Sequence, residues 1–258
     1  MEHNECISVI ILFFINLINY MDRFTVASVL PKIKIFYDIN TTESGLLQTV
    51  FIISYMIMAP VFGYLGDRYS RKYLMAAGIL FWSTTTFLGS MIPASFPFGF
   101  YMMRALVGVG EASYSTLAPT IIADLFPREM RTRMLAFFYF AIPVGSGLGY
   151  VIGSEVAAKM HDWRWALKVT PPLGVISVIC LLVFLEERPR GFSDGAVEPQ
   201  EKSDLVNDIK YLLTVRSYIW LTIAFTCVSF SIGALSWYAP TYIQLATNVS
   251  GENVPLEE

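Results

Sequence analysis

Seven long apolar runs separate the charged blocks of this chain, and they constrain its fold more than any other feature. Each run is close to the roughly 20 residues that a helix needs to cross the hydrocarbon core of a bilayer. A helix satisfies its own backbone hydrogen bonds there, where no water is available. The sequence therefore predicts an all-α membrane protein with seven transmembrane helices. The runs cover residues 7–30, 45–62, 73–91, 98–124, 134–154, 169–186 and 218–240.

The composition agrees with a membrane protein and argues against several other classes. Hydrophobic residues make up 55% of the chain and charged residues 15%, whereas a soluble domain carries about 25% charged residues. The net charge of -3 gives no basic surface for nucleic acid, and the three cysteines lack the spacing of a metal site or disulfide framework. We expect no metal, no cofactor, no nucleic-acid partner and no enzymatic activity.

The connecting segments predict the orientation of the helices. Basic residues are concentrated in the segments 63–72, 125–133 and 187–217, which the seven-helix layout places on one face. Arginine and lysine are enriched on the cytoplasmic side of membrane proteins, so this face and the N-terminus are predicted to be cytoplasmic. Two glycosylation sequons, beginning at Asn40 and Asn248, fall on the opposite face, and we expect both asparagines to carry glycans.

The loop after the second run carries a motif. Gly63, Asp67, Arg68, Arg71 and Lys72 match the spacing of the loop between helices 2 and 3 of major facilitator transporters, which this segment resembles. The resemblance implies a cytoplasmic gate in which the aspartate contacts the start of a helix in a second bundle. Because no second bundle follows in this sequence, we expect Asp67 to pair with Arg68, Arg71 or the arginines of residues 128–133.

The layout of the runs also resembles the first half of a major facilitator transporter. This resemblance implies an N-terminal six-helix bundle over residues 1–186 and a cytoplasmic linker over 187–217. Residues 218–258 then form a seventh helix with a luminal or extracellular tail, and the second bundle is expected to be incomplete.

The linker contains apolar residues at helical spacing, interleaved with charged ones. This pattern predicts a short amphipathic helix that lies on the membrane surface or, alternatively, in a soluble loop. The apolar positions are Leu205, Ile209, Leu212 and Leu213.

Four charged residues lie inside the predicted spans rather than at their ends: Asp22, Arg23, Arg104 and Glu111. Each costs about 2.5–3.5 kcal/mol at the bilayer centre on insertion scales, so such residues face a cavity or a partner. Asp22 and Arg104 lie at similar depths and are expected to meet, and Arg104 lies two turns from Glu111 on one helix face. The four charges have two interpretations, a buried ion pair that fixes helix packing or a site for substrate binding and proton coupling.

The fifth run carries Gly145, Gly149 and Gly153 at intervals of four residues. Small residues at this spacing allow the backbones of two membrane helices to approach closely. The segment resembles the glycine-proline signature of facilitator antiporters, except that Pro143 precedes the glycines. We therefore expect these glycines to serve helix packing.

Several longer blocks resemble one branch of the superfamily, the spinster family of lysosphingolipid and lysophospholipid transporters. The resemblance implies a lysolipid or sphingoid phosphate as substrate, held by Arg104 or Arg23, with protons coupled through the intramembrane charges. It also implies residence in late endosomes, lysosomes or the plasma membrane. Two alternatives are a non-transporting form that pairs with a full-length relative and a facilitator of another small solute. The blocks are residues 19–24, 48–51, 59–68, 104–115 and 138–150.

Overall fold

The computed structural model describes residues 3–191, 193 and 205–249, and the regular structure in these ranges is helical throughout. This confirms the predicted all-α fold. The helices are α1 (His3–Ser28), α2 (Leu30–Tyr37), α3 (Thr41–Gly66), α4 (Arg71–Gly89), α5 (Pro97–Leu125), α6 (Arg128–Lys159), α7 (Arg164–Leu167), α8 (Thr170–Phe184), α9 (Leu205–Thr214) and α10 (Arg216–Val249).

The seven predicted runs correspond to α1, α3, α4, α5, α6, α8 and α10, and most of the helices extend beyond the apolar residues. Helix α3, for example, begins four residues before its run, because Asn40 and Glu43 cap it reciprocally through their side chains and backbone amides. None of the seven predicted runs corresponds to the short helices α2 and α7.

Five helical segments of the described chain are long and apolar enough to cross a membrane by length and composition alone. Helices α4 and α5 fall outside this set, because α4 carries Lys72 and three consecutive threonines and α5 carries Arg104 and Glu111. Both nevertheless pack along the other helices of the first compact unit, where Ser83, Thr85, Thr86, Arg104 and Glu111 are buried. The chain is thus a multi-pass membrane protein whose polar spans lie inside the bundle.

The first compact unit is a six-helix bundle, in which α1 packs against α6 and α8, and α5 packs against α3 and α4. Helix α4 also contacts α8, which joins the two groups. The largest fully buried side chains include Trp82, Tyr114 and Phe138, and the Tyr114 ring contacts the rings of the other two. The Tyr114 hydroxyl donates to the backbone oxygen of Leu12, and this bond fixes α5 against α1 in the core.

The contact between α6 and α1 is close because glycines line it. A Cβ atom added at Gly145 would lie 2.6 Å from the backbone oxygen of Leu17, and one at Gly149 would lie 2.6 Å from that of Met21. At Gly153 the added Cβ atom would meet Ser28 and Thr25. The backbones of α6 and α1 therefore approach each other at distances that leave no room for a side chain.

The second compact unit contains α9 and α10 and is described by itself. Helix α9 falls on the predicted amphipathic segment, and its side chains Ile209, Leu212 and Leu213 are exposed. Its location on the membrane surface stays a prediction. The backbone of Asn248 lies in the last turn of α10, whereas its side chain and Ser250, which completes the sequon, lie outside the described residues.

Candidate functional site

The charges predicted within the membrane lie inside the six-helix bundle. Helix α1 supplies Arg23 and helix α5 supplies Glu111, and the Nη2 atom of Arg23 donates to Oε2 of Glu111 at 2.6 Å. The Glu111 side chain is completely buried, while 20% of the Arg23 side chain is exposed. Arg104 makes no ion pair within 4.0 Å in the described chain. The cation that is hydrogen-bonded to Glu111 therefore comes from α1, and not from Arg104 two turns away on the same helix.

Aromatic rings surround the Arg23 guanidinium. Its central carbon lies 4.7 Å from the ring centre of Phe51, 5.0 Å from that of Tyr20 and 5.7 Å from that of Tyr55. Such contacts stabilise a cation that has left bulk water. Phe51 also lies 5.1 Å from the central carbon of Arg104, so one ring contacts both guanidinium groups. Sequence reasoning did not select Phe51 and Tyr55, although they lie one turn apart on α3.

Asp22 faces a different side of α1. Its carboxylate accepts hydrogen bonds from Thr86 of α4, at 3.2 Å, and from Thr170 of α8. No ion pair within 4.0 Å joins Asp22 and Arg104 in this part of the chain, and the expected meeting of the two charges is not seen. The reason is helical geometry, since one residue along a helix turns the side chain by about 100°. Arg23 therefore points towards α5, while Asp22 points towards α4 and α8.

Arg104 has a buried guanidinium with unused donors. The residue is 2% exposed, and its Nε and Nη2 atoms have no hydrogen-bond partner in the described structure. The Oε1 atom of Glu111 and the Nε atom of Arg23 are likewise unpartnered. Buried charged groups are unfavourable unless they are hydrogen-bonded, so the arginine nitrogens have the capacity to donate to a polar or anionic ligand and Glu111 Oε1 to accept from a donor.

The motif loop between α3 and α4 is tied to α5. The Nη1 atom of Arg71 donates to Oδ2 of Asp124 at 2.5 Å and to the hydroxyl of Thr120 at 3.1 Å. Lys72 donates to the backbone oxygen of Leu185, at 2.8 Å. These contacts connect the basic half of the motif to the ends of α5 and α8.

The ion pairing of Asp67 differs from the prediction. Its carboxylate is exposed and has no ion pair within 4.0 Å among the residues that the structure describes. The expected pairing with nearby arginines is wrong, because Arg68 stacks on the Tyr64 ring at 3.7 Å and Arg71 is held by Asp124. Gly63, the first residue of the motif, is not tightly packed, since a Cβ atom added there would lie 3.7 Å from the Thr116 side chain, an ordinary van der Waals distance.

A segment that the sequence analysis assigned to the end of the sixth run and the start of the linker packs against this face of the bundle. We call residues 185–191 and Ser193 the strap. The carboxylate of Glu187 accepts from the backbone amide of Arg71 at 2.7 Å and from the Ser70 hydroxyl at 2.5 Å, at the start of α4. Arg190 donates to the backbone oxygens of Gly66 and Asp67, at the end of α3. The strap thus holds the two helix ends that flank the motif loop.

The sequon at Asn40 lies at an exposed helix start, where modification is sterically possible. The Asn40 Oδ1 atom accepts from the Glu43 amide at 2.8 Å, which leaves the Nδ2 atom available for a glycan. We expect glycosidase treatment of the chain from animal cells to increase its gel mobility, and Asn40→Gln and Asn248→Gln each to remove part of that shift. Identical mobility of all samples would contradict both the glycosylation and the predicted orientation.

The family follows from comparison with known proteins. Residues 12–256 match the model described as Major Facilitator Superfamily. The chain belongs to this superfamily. It is 53% identical over 251 residues to Protein spinster of Drosophila melanogaster, covering 97% of this chain and 41% of that protein. It is 52% identical to human Protein spinster homolog 1, covering 96% of this chain and 47% of that protein.

A solved structure gives independent support for the fold. A bacterial homolog of the human lysosomal transporter spinster, in an inward-facing and unoccupied conformation, aligns with a TM-score of 0.76 at 19% identity. The alignment covers 94% of this chain and 56% of the bacterial chain. The chain thus spans about half the length of the relatives that it matches.

Proposed function

We propose that this chain forms the N-terminal, substrate-binding half of a proton-coupled transporter of lysophospholipids or sphingoid phosphates. The observation that carries the proposal is the buried Arg23–Glu111 pair together with nearby Arg104, whose Nε and Nη2 atoms have no hydrogen-bond partner in the described structure. Membership of the Major Facilitator Superfamily supports transport, and the bacterial homolog is described in relation to a human lysosomal transporter. Residence in late endosomes, lysosomes or the plasma membrane is part of the proposal.

Arg104 is the proposed binding group for the anionic part of the substrate. Its Nε and Nη2 atoms are both unpartnered, and a guanidinium binds two phosphate oxygens in parallel through such a pair of donors. Phe51 stacks near this guanidinium and restricts its orientation. The acyl or sphingoid chain of the substrate would then contact the aromatic rings next to Arg23, those of Tyr20, Phe51 and Tyr55.

Glu111 is the proposed proton carrier. Protonation removes one charge from the Arg23–Glu111 pair and leaves the Arg23 guanidinium available to a second anion. Proton binding and lipid binding would then be linked through the same cation. The surrounding rings of Tyr20, Phe51 and Tyr55 retain Arg23 in the cavity while its carboxylate partner is neutral.

The test is a chimera, because alternating access requires two bundles that move around one site. Residues 1–258 replace the matched half of human Protein spinster homolog 1, and lysophospholipid export is measured in cells lacking related transporters. We expect the chimera to export the lipid and its Arg104→Met variant to lose at least about tenfold in rate, since a charged hydrogen bond contributes about 1.5–3 kcal/mol.

The 258 residues expressed alone provide the control, for which we expect no transport above background. A chimera that reaches the membrane at normal levels but exports no lysolipid would contradict the proposed substrate class. Full activity of the Arg104→Met chimera would contradict the proposed headgroup site.

A further inference from the structure

The end of the strap carries a serine held between a carbonyl group and an arginine. The Ser193 hydroxyl donates to the backbone oxygen of Ala123 at 2.9 Å and accepts from the Nη2 atom of Arg131 at 3.2 Å. Two residues earlier, the Gly191 amide donates to Oδ1 of Asp124 at 2.9 Å. These bonds dock the strap against the C-terminal end of α5 and the start of α6.

The residues before this serine form a recognisable pattern. Arg188 and Arg190 precede Ser193 by five and three residues. In the docked strap, Arg188 pairs with Glu5 and Glu186, and Arg190 binds the end of α3. When the strap leaves the bundle and becomes extended, residues two apart project from the same side, so both guanidinium groups face one surface of a bound enzyme. Arginine-directed protein kinases bind substrates in this way, through acidic side chains that pair with guanidinium groups. The positive-inside assignment places the strap in the cytosol, where such kinases and ATP occur.

We propose that Ser193 is a phosphorylation site for an arginine-directed protein kinase, which modifies the strap during its transient opening, and that the phosphate prevents the strap from docking again on α5. The Ser193 Oγ atom attacks the γ-phosphorus of ATP and forms the new oxygen–phosphorus bond. The bond between that phosphorus and the β,γ-bridging oxygen breaks, and ADP leaves with the bonding electrons. The serine proton passes to the catalytic carboxylate of the kinase.

The local contacts explain why a phosphate would weaken docking. Phosphoserine lacks the hydroxyl proton that now binds the Ala123 oxygen, and it carries a charge of about -1.5 to -2 at pH 7. Its position lies against the last turn of α5, where the helix dipole disfavours an anion. The Asp124 carboxylate, which holds Gly191, adds like-charge repulsion in the same place.

Arg131 attracts the phosphate on Ser193, but this attraction does not restore the hydrogen bond to the Ala123 oxygen. It lies in the first turns of α6 and contacts the backbone oxygen of Phe126 at 3.3 Å through its Nε atom. A phosphate that moves away from Ala123 can remain paired with this long side chain. The expected product is therefore a strap whose end has left α5, with the phosphate bound by the arginine of α6.

Release at Ser193 has a structural consequence, because the same strap caps the ends of α3 and α4 through Arg190 and Glu187. Phosphorylation would then loosen the helix ends next to the motif loop. This inference goes beyond the proposed transport function and does not depend on the substrate.

The modification is tested on the purified 258-residue chain. The protein is treated with phosphatase and then incubated with ATP and the catalytic subunit of an arginine-directed kinase. Digestion with trypsin gives the peptide 191–202, in which Ser193 is the only hydroxyl-bearing side chain. We expect this peptide to gain the mass of one phosphate, and Ser193→Ala to abolish the gain.

Ser70 serves as the matched control, since it lies near basic residues but has Asp67 and Leu65 at the two positions that carry arginine before Ser193. We expect Ser70 to remain unmodified. An unmodified 191–202 peptide, under conditions in which a reference peptide is fully phosphorylated, would overturn the proposal. Phosphate on Ser70 instead of Ser193 would also overturn it.

The release is tested by hydrogen exchange in peptides that cover residues 186–193. We expect the Gly191 amide, which is bonded to Asp124, to exchange about tenfold faster in the phosphorylated chain. Ser193→Ala removes the bond to Ala123 without adding charge, so its effect should be smaller. A phosphorylated chain that exchanges no faster than the Ser193→Ala variant would overturn the release of the strap.

Discussion

Substituting Gly149 with alanine should destabilise the first unit by about 1–3 kcal/mol, the range measured when a close-packed site is overfilled. The added Cβ atom would lie 2.6 Å from the backbone oxygen of Met21 and 3.0 Å from the Cβ atom of Phe24. Neither atom is the end of a flexible side chain, so α1 or α6 must shift as a whole. The measurement is the thermal unfolding of the purified chain in detergent.

Gly147 provides the matched control in the same helix. An added Cβ atom there meets nothing within 4 Å, and alanine is favoured over glycine inside a helix by about 0.8–1.0 kcal/mol. Gly147→Ala should therefore stabilise the chain or leave it unchanged, whereas Gly149→Ala destabilises it. Equal unfolding temperatures for the two variants would show that α6 does not approach α1 as closely as described.

The glycine contact illustrates what the sequence predicts and what it leaves open. The interval of four residues between Gly145 and Gly149 marks one face of α6, so a close helix contact was predictable. The receiving surface on α1 consists of the backbone oxygens of Leu17 and Met21. Backbone atoms are the same in every residue, and no side-chain pattern on α1 therefore identified it as the partner.

The arrangement of the intramembrane charges was likewise predictable only in part. Their positions were predictable, because ionisable residues stand out in apolar runs. Their pairing was not, because it depends on the rotation of each helix about its axis. Arg23 reaches Glu111, while Asp22, the preceding residue, is bound by threonines of α4 and α8. Threonine is common in membrane helices and gave no signal on its own.

The strap was the least predictable part of the candidate site. Pro189 and Gly191 interrupt any helical pattern, so the sequence predicts only a polar linker from residue 187 onwards. Its arginine binds backbone oxygens at the end of α3, and its glutamate binds a backbone amide at the start of α4. These partners exist only once the helices are in place, and a sequence pattern does not reveal them.

The second large effect concerns Glu111, whose substitution by glutamine should abolish proton-driven transport in the chimera described above. Glutamine keeps the shape of the side chain and cannot exchange a proton near neutral pH. The variant should therefore bind lipid and lose at least about tenfold in the rate driven by a pH gradient, a change of about 1.4 kcal/mol in the barrier. Lipid binding and gradient-driven export are measured on the same preparation.

Glu111→Gln also breaks a buried ion pair, which on its own costs about 3–5 kcal/mol when the remaining charge is fully buried. The cost should be smaller here, because 20% of the Arg23 side chain is exposed and three rings surround its guanidinium.

The double variant Arg23→Gln, Glu111→Gln separates the two roles of Glu111. If the pair only holds helices together, the double variant should recover both thermal stability and transport. If Glu111 carries the proton, the double variant should recover stability while transport stays independent of pH. A well-expressed Glu111→Gln chimera whose transport keeps its full pH dependence would rule out the proton-carrier role.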